Sequence, residues 1–261
     1  MNKPRGYVDP EYLRVAGERL RELKLRTYET MKISPGDRVL DVGCGPGTDT
    51  IPLAEIVGST GMVYGADYDE GMIAEADRNA RDSGMSGRVI HRRTDASSLP
   101  FENEYFDSCR SERLFQHLLD PAAALAEMTR VTRIGGWIVV LDTDWASGGM
   151  DTPEIEIERR LVQFNTERMF HNGYAGRQLY RLFRVQGLLD VSCEAFTLTV
   201  TNYAFARQIW TLDRLEQAAV AEGVISKSEL KRLRTSFERA EAEGSFFGYG
   251  SMMLVAGRRG G

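Results

Sequence analysis

Apolar positions along the chain follow two alternating periods. "RVLDV" (Arg38–Val42), "GMVYGAD" ending at Asp67, "RVIHRRTD" ending at Asp95, "YFDSCRS" ending at Ser111 and "GGWIVVLDTDW" ending at Trp145 are short runs with the composition of strands. Between them apolar residues fall three and four apart, as at Met72, Ile73, Ala76 and Ala80, which predicts helices. Pro35-Gly36 marks a turn before the first strand. Pro52 lies in the first turn of a helix predicted from about Thr48, where proline is tolerated. "ERLFQHLLD" reads as helical after the fourth strand, with a second helix through Met128. The nearly continuous apolar centre of the fifth strand suits a sheet covered on both faces. Five alternations of strand and helix predict an α/β fold built on a parallel sheet.

The ends read differently. Asp9-Pro10-Glu11 opens an N-terminal helix carrying Leu13, Ala16, Leu20 and Leu23. After the fifth strand, Ile155, Leu161, Val162 and Met169 predict a helix that Asn172-Gly173 breaks. "GRQLYRLFRVQG" is a short helix closed by Gly187. "VSCEAFTLTV" alternates as a strand. Residues 203–244 read as a helical pair with a Ser226/Glu229 capping box, and "FFGYGSMMLVAGRR" is a final strand. The expected organisation is one domain over 1–261, with a helical cap at 1–35, a ligand-binding core at 36–145, and lid helices and the last two strands at 146–261.

Composition narrows the function. The 261 residues are 42% hydrophobic and 27% charged, with a net charge of −5. That acidity is poorly suited to a long phosphate backbone. Cys44, Cys109 and Cys193 are too few and too scattered for a disulfide framework or a zinc site. The N-terminal stretch lacks the apolar run of a signal peptide, and no run is long enough to span a membrane. The expectation is a cytoplasmic protein with no membrane and no nucleic-acid partner.

The candidate chemistry begins at "DRVLDVGCGPGTDT". A glycine-rich loop after the first strand sits at the carboxyl edge of such a sheet, where ligands bind. Glycine there permits positive φ and close approach of a ligand to the backbone. Asp67 ends the second strand, where an acidic residue accepts hydrogen bonds from ribose hydroxyls in nucleotide-binding sheets. Asp95 ends the third strand at the same edge. The loop is not a dinucleotide fingerprint, because Thr48 stands where the third glycine belongs. Asp41 would also repel a pyrophosphate, whereas it tolerates an amine-bearing ligand.

These stretches resemble the class I S-adenosylmethionine-dependent methyltransferases. "VLDVGCGPG", "GADYDEGMIAEA" and "RTDASSLPFENEYFD" match that family's first three motifs, and "FDSCRSERLFQHLLDP" and "EMTRVTRIGGWIVVLD" match its fourth- and fifth-strand stretches. The likeness covers residues 36–145 closely and is nearest to the branch of quinone-ring and natural-product enzymes. It implies a Rossmann-like, seven-stranded, mostly parallel sheet whose last strand runs antiparallel. It implies S-adenosylmethionine as cofactor and a small-molecule methyl acceptor as partner. By the same resemblance Asp41, Gly43, Gly45 and Gly47 line the methionine part of the cofactor, Asp67 binds the ribose and Tyr68 packs near the adenine. Asp95 and Ala96 meet the adenine amino group, and Ser111 lies near the methionine amine.

Methyl transfer needs alignment and exclusion of water more than it needs a base. His117 is the candidate base, with packing on Leu114 as the alternative. An imidazole with an ordinary pKa near about 6.5 suits proton removal at neutral pH. His91 and His171 are expected to be structural. Asp144 and Trp145 at the end of the fifth strand, Arg113 after the fourth, and Tyr7 and Tyr12 are the candidate acceptor-binding residues; no metal is expected. Arg110, Glu112 and Arg113 form either an ion-pair network or a site for a polar acceptor. Ser111-Glu112-Arg113-Leu114 replaces the Asn/Asp-Pro-Pro-aromatic motif of the family's amide- and adenine-methylating members. The helices at 1–32, 153–186 and 203–243 are expected to cover the pocket, which suits a small molecule. Methylation of RNA or protein and silent cofactor binding remain the alternatives, and a homodimer is compatible with the chain.

Overall fold

The computed structural model describes residues 20–261. The first described helix is α1 (Arg21–Thr30). Strands β1 (Arg38–Val42), β2 (Met62–Asp67), β3 (Val89–Arg93) and β4 (Phe106–Glu112) come next, with α2 (Thr50–Val57) and α3 (Glu70–Asp82) between the first three. Beyond them lie α4 (Pro121–Val131), β5 (Thr132–Met150), α5 (Ile155–Phe164), α6 (Ala175–Val185) and β6 (Leu189–Val200). Helices α7 (Tyr203–Ile209), α8 (Leu212–Ala221) and α9 (Lys227–Ala242) then lead into β7 (Gly248–Arg258).

All seven strands form one sheet in the order β3-β2-β1-β4-β5-β7-β6. The first five are parallel, and β7 runs antiparallel to both β5 and β6. The expected mostly parallel, Rossmann-like sheet is therefore present. The chain winds outward from β1 in both directions, so β1 and β4 flank the switch point. A crevice opens there beyond the strand ends.

Apolar strand residues are sorted to two faces by their alternation. Leu40, Val42, Ile138 and Val140 pack with Phe106, Leu179 and Phe183 on one face. Val39, Val139 and Leu141 pack with Leu53, Val57 and Leu254 on the other. A third cluster, with Leu161, Tyr203, Leu215, Leu233 and Phe237, joins α5 to α7–α9 beside the C-terminal end of β5.

Several sequence expectations need correction. "ERLFQHLLD" is not a helix: Glu112 still belongs to β4, and only Phe115–His117 form a single 3₁₀ turn. Residues 203–244 hold three helices rather than two, because Thr211 takes φ +47° and breaks α7 from α8. The Ser226/Glu229 capping box does open α9, with both of its hydrogen bonds formed. The 153–186 segment covers the pocket only in part. Leu179 and Phe183 place α6 in the sheet's core, while α5 and the π-helical turn Asn165–Met169 lie beside the site. The predicted helix start at Asp9-Pro10-Glu11, with Tyr7 and Tyr12, lies outside the described residues.

Candidate active site

Beyond β1 the chain turns through Gly43, Gly45 and Gly47, each with positive φ. The Gly43 and Cys44 N–H groups donate to the Ala66 carbonyl at 2.7 and 3.1 Å, pinning the loop to the end of β2. Asp67 completes the attachment: its Oδ2 accepts from Gly45 N–H and its Oδ1 from Asp69 N–H, both at 2.9 Å. Burial still raises the Asp67 pKa, against the pull of those N–H groups. Each carboxylate oxygen retains acceptor capacity beyond its one N–H.

The glycines serve different neighbours. A Cβ on Gly43 would lie 2.9 Å from the Leu114 Cβ, so this glycine makes room for Leu114. A Cβ on Gly47 would instead meet Ala76 and His91, which places Gly47 against α3 and not in the cavity wall. His91 is held between Thr50 (3.0 Å) and Asp77 (2.9 Å), an arrangement that supports the loop from behind.

A cavity of about 740 Å³ opens in front of the loop. Asp41, Gly43, Gly45, Asp67, Tyr68, Asp95 and Ala96 all line it, as do Leu114, His117 and His171. The volume is within the usual range for small-molecule sites. Tyr68 is exposed at the rim with the Arg93 guanidinium 5.8 Å from its ring centre. Asp95 is occupied locally, accepting from the Ser97 N–H and hydroxyl. Ser111 is not in the wall. It lies on the side of β4 opposite Arg110, 1% exposed, with no hydrogen-bond partner for its hydroxyl among the described residues.

The cavity floor is a buried ion network. Arg110 belongs to β4 itself rather than to the segment after it, and it is fully buried. It reaches Asp41 and Asp49 at 3.2 Å each and Glu112 at 2.9 Å. Lys24 of α1 pairs with Asp49 and Glu112, Tyr28 donates to Asp49, and Arg113 reaches Glu112 at 3.1 Å. Of the two readings of this charge group, the ion-pair network describes the observed contacts. Burial works against ionisation of Asp49, but Arg110 and Lys24 hold it below the usual carboxylate range. Asp41 is bonded to Arg110, with Lys24 acting on it from farther away and Asp49 and Glu112 opposing its charge. Its burial outweighs Arg110 and lifts its pKa to about 7.

A second cavity, of about 200 Å³, lies between the end of β5, α5 and α8. Arg113 and His117 line both cavities and so form their common wall. His117 sits beside Phe170, which stacks on Trp145 with centroids 4.5 Å apart. Trp145 Nε1 donates to Gln116 Oε1 at 2.6 Å, and Gln116 Nε2 donates to the Arg113 carbonyl at 3.0 Å. Asp142, fully buried, accepts from the Thr143 and Gln116 N–H groups, and burial lifts its pKa to about 7. Asp144 also lines this cavity, with Oδ2 bonded to Arg177 Nε at 2.7 Å and Oδ1 enclosed without a partner among the described residues.

The structure thus gathers Asp41, Gly43, Gly45, Asp67, Tyr68, Asp95, Ala96 and His117 around one cavity. Arg113, His117, Asp144 and Trp145 border the other, and Gly47 and Ser111 lie behind the walls. Sequence reasoning missed Lys24, Gln116, Phe170 and Glu158. Only Glu158 left a readable signal: it falls three residues before Leu161, on the apolar stripe of α5.

Comparison with known proteins places this geometry. A family profile described as a methyltransferase domain matches residues 33–235. An uncharacterised 37.1 kDa protein in transposon Tn4556 of Streptomyces fradiae is 35% identical over 205 residues, 78% of this chain and 59% of that protein. The ubiquinone/menaquinone biosynthesis C-methyltransferase UbiE of Vibrio vulnificus is 38% identical over 116 residues, 44% of this chain and 45% of that protein. The chain spans about half the length of these curated relatives. Among solved structures, the geranyl diphosphate C-methyltransferase of Streptomyces coelicolor, in complex with Mg2+, a geranyl thiolodiphosphate and S-adenosylhomocysteine, superposes with a TM-score of 0.57. It is 18% identical, covering 92% of this chain and 76% of its own, and so shares the fold.

Proposed function

The chain belongs to the methyltransferase-domain family, and from that premise we propose that it moves the methyl group of S-adenosylmethionine onto a small-molecule acceptor held in the smaller cavity. The observation that carries this reading is the pair of cavities, about 740 and 200 Å³, that share Arg113 and His117 as a wall. A two-substrate transfer needs two compartments meeting at one point.

The residues of the larger cavity fit the cofactor. Asp67 keeps acceptor capacity on both oxygens for two ribose hydroxyls, and the positive-φ loop lets a ligand lie against its backbone. Tyr68 and Ala96 border the adenine region, with Asp95 in reach of its amino group. Asp41, Gly43 and Gly45 border the methionine end. Asp41 acts there through Arg110, to which its Oδ1 is bonded. S-adenosylmethionine supplies an activated methyl group on a sulfonium.

The chain's own work is alignment and desolvation, which lower a barrier by up to about 7–11 kcal/mol. Trp145 and Phe170 give the acceptor an apolar wall, and Gln116 fixes the Trp145 ring. His117, at the common wall, takes the acceptor's proton where the nucleophile must lose one. Residues 36–145 hold the cofactor, and 146–261 supply most of the acceptor chamber.

Calorimetric titration with S-adenosylmethionine and, separately, NAD tests the cofactor. Binding of the first and none of the second is expected. Release of S-adenosylhomocysteine on incubation with a metabolite panel tests transfer. Binding without release under any acceptor would leave a silent cofactor-binding protein.

A further inference from the structure

Glu158 lies on the buried face of α5, with Ile157 and Leu161, and is 8% exposed. An ionisable side chain on such a face requires a partner or a function. It lines the 200 Å³ chamber. Its Oε1 accepts the Met150 N–H at 2.9 Å, which fixes the carboxylate against the end of β5. Its Oε2 makes no hydrogen bond within the described residues, and it is not among the enclosed polar atoms left unpaired. One oxygen is thus held by the backbone while the other has no partner among the described residues, on a carboxylate that borders both the chamber and a neighbouring cavity. Asp144, on the same chamber, differs: Oδ2 is bonded to Arg177, and Oδ1 is enclosed without a partner among the described residues. The remaining wall is largely apolar, with Trp145, Phe170, Leu161, Val200 and Trp210 among its residues.

We propose that Glu158 is a specificity-determining residue that binds a hydrogen-bond donor, a hydroxyl or an amine, on a ring-sized methyl acceptor. This rests on the reading of the smaller cavity as the acceptor chamber. An oxygen acceptor in an apolar box favours ligands with a matching donor and disfavours ligands that bring only another acceptor, because two lone-pair groups face each other without a proton. Ring-bearing donors can lie against the stacked Trp145–Phe170 pair while the hydroxyl or amine reaches Oε2.

The test uses three matched probes: resorcinol, 1,3-diaminobenzene and 1,3-dimethoxybenzene. Affinities are measured by ligand-observed NMR at pH 8, with and without saturating S-adenosylhomocysteine. Wild-type protein is expected to bind at least one donor probe roughly tenfold tighter than the dimethoxy probe, as a hydrogen bond to a charged group implies. The tighter of the two donor probes names the group. Glu158→Gln keeps the shape and can keep its Oε1 on Met150 N–H, but it turns an amide NH₂ toward the chamber. The preference is then expected to vanish or reverse toward the dimethoxy probe. A purely structural glutamate would lower affinity for all three alike. Equal affinities in the wild type, an unchanged preference in Glu158→Gln, or no binding of any probe would each overturn the proposal. Calorimetry with S-adenosylhomocysteine on the same samples reads the cofactor site separately. Its failure alone would count against methyl transfer and leave the donor preference measurable.

Discussion

The Arg110 guanidinium donates to the Asp41 carboxylate at 3.2 Å beneath the glycine-rich loop, and both side chains are shut off from solvent. The same guanidinium meets Asp49 and Glu112, so one buried cation offsets three carboxylates with help from Lys24 and Arg113. Removing it leaves Asp41 without its ion-pair partner and leaves Asp49 and Glu112 to Lys24 and Arg113 alone. Arg110→Met is expected to destabilise the fold by about 3–5 kcal/mol. Urea unfolding tracked by circular dichroism measures this, and a loss below about 1 kcal/mol would mean the network is solvated.

Gly43 and Leu114 are coupled through a gap that a methyl group would close. Gly43→Ala should cost roughly 1–3 kcal/mol, part from φ +76° and part from the contact with Leu114. Adding Leu114→Gly removes the contact, its Cβ included, and leaves the backbone strain. The double mutant should therefore be more stable than the sum of the two singles predicts. A double-mutant cycle by thermal denaturation reads the coupling, and strict additivity would deny it.

Asp67 both tethers the loop and faces the larger cavity. Asp67→Ala is expected to weaken S-adenosylmethionine binding at least tenfold, since a charged acceptor contributes about 1.5–3 kcal/mol per hydrogen bond. Isothermal calorimetry on folded protein measures it. Unchanged affinity would remove Asp67 from the ribose.

Asp142 contributes a defined pH dependence. Burial raises its pKa in the folded protein to about 7, above its ordinary value, so the folded state prefers the protonated form. Its contribution to stability is full below about pH 4 and is lost as pH rises through about 7. Asp142→Asn cannot ionise. From pH 5 to pH 8 its stability should improve relative to wild type by roughly 2 kcal/mol, whatever the offset between them. Parallel denaturant titrations at the two pH values test this. A constant offset would place the titration elsewhere.

His117 separates proton removal from alignment. If the imidazole takes a proton from the acceptor, His117→Ala should lower turnover by about 10²–10⁴-fold while cofactor affinity stays nearly constant. A variant within threefold of wild type across pH 6–9 would leave alignment and desolvation as the main contributions.

Local chemistry was enough to predict the sheet strands, because alternating and continuous apolar runs between turn residues carry their own boundaries. Arg38–Val42 and the capping box at Ser226 appear as the sequence predicts. The glycine loop, Asp67, Asp95 and His117 were also legible, since strand ends of a parallel sheet converge on one edge whatever the loops do. Tertiary structure decided the rest. The segment after Glu112 has a helical pattern, yet Arg113 takes φ +53° and the Gln116 N–H turns to Asp142, twenty-six residues away. A buried carboxylate needing donors outweighed helix propensity there. Ser111 and Gly47 carry suitable chemistry at suitable positions, but strand alternation and packing on α3 turn them from the cavity. Lys24 and Glu158 gain their roles only where separate elements enclose them, because the energy of a buried charge depends on surroundings that no stretch of sequence contains.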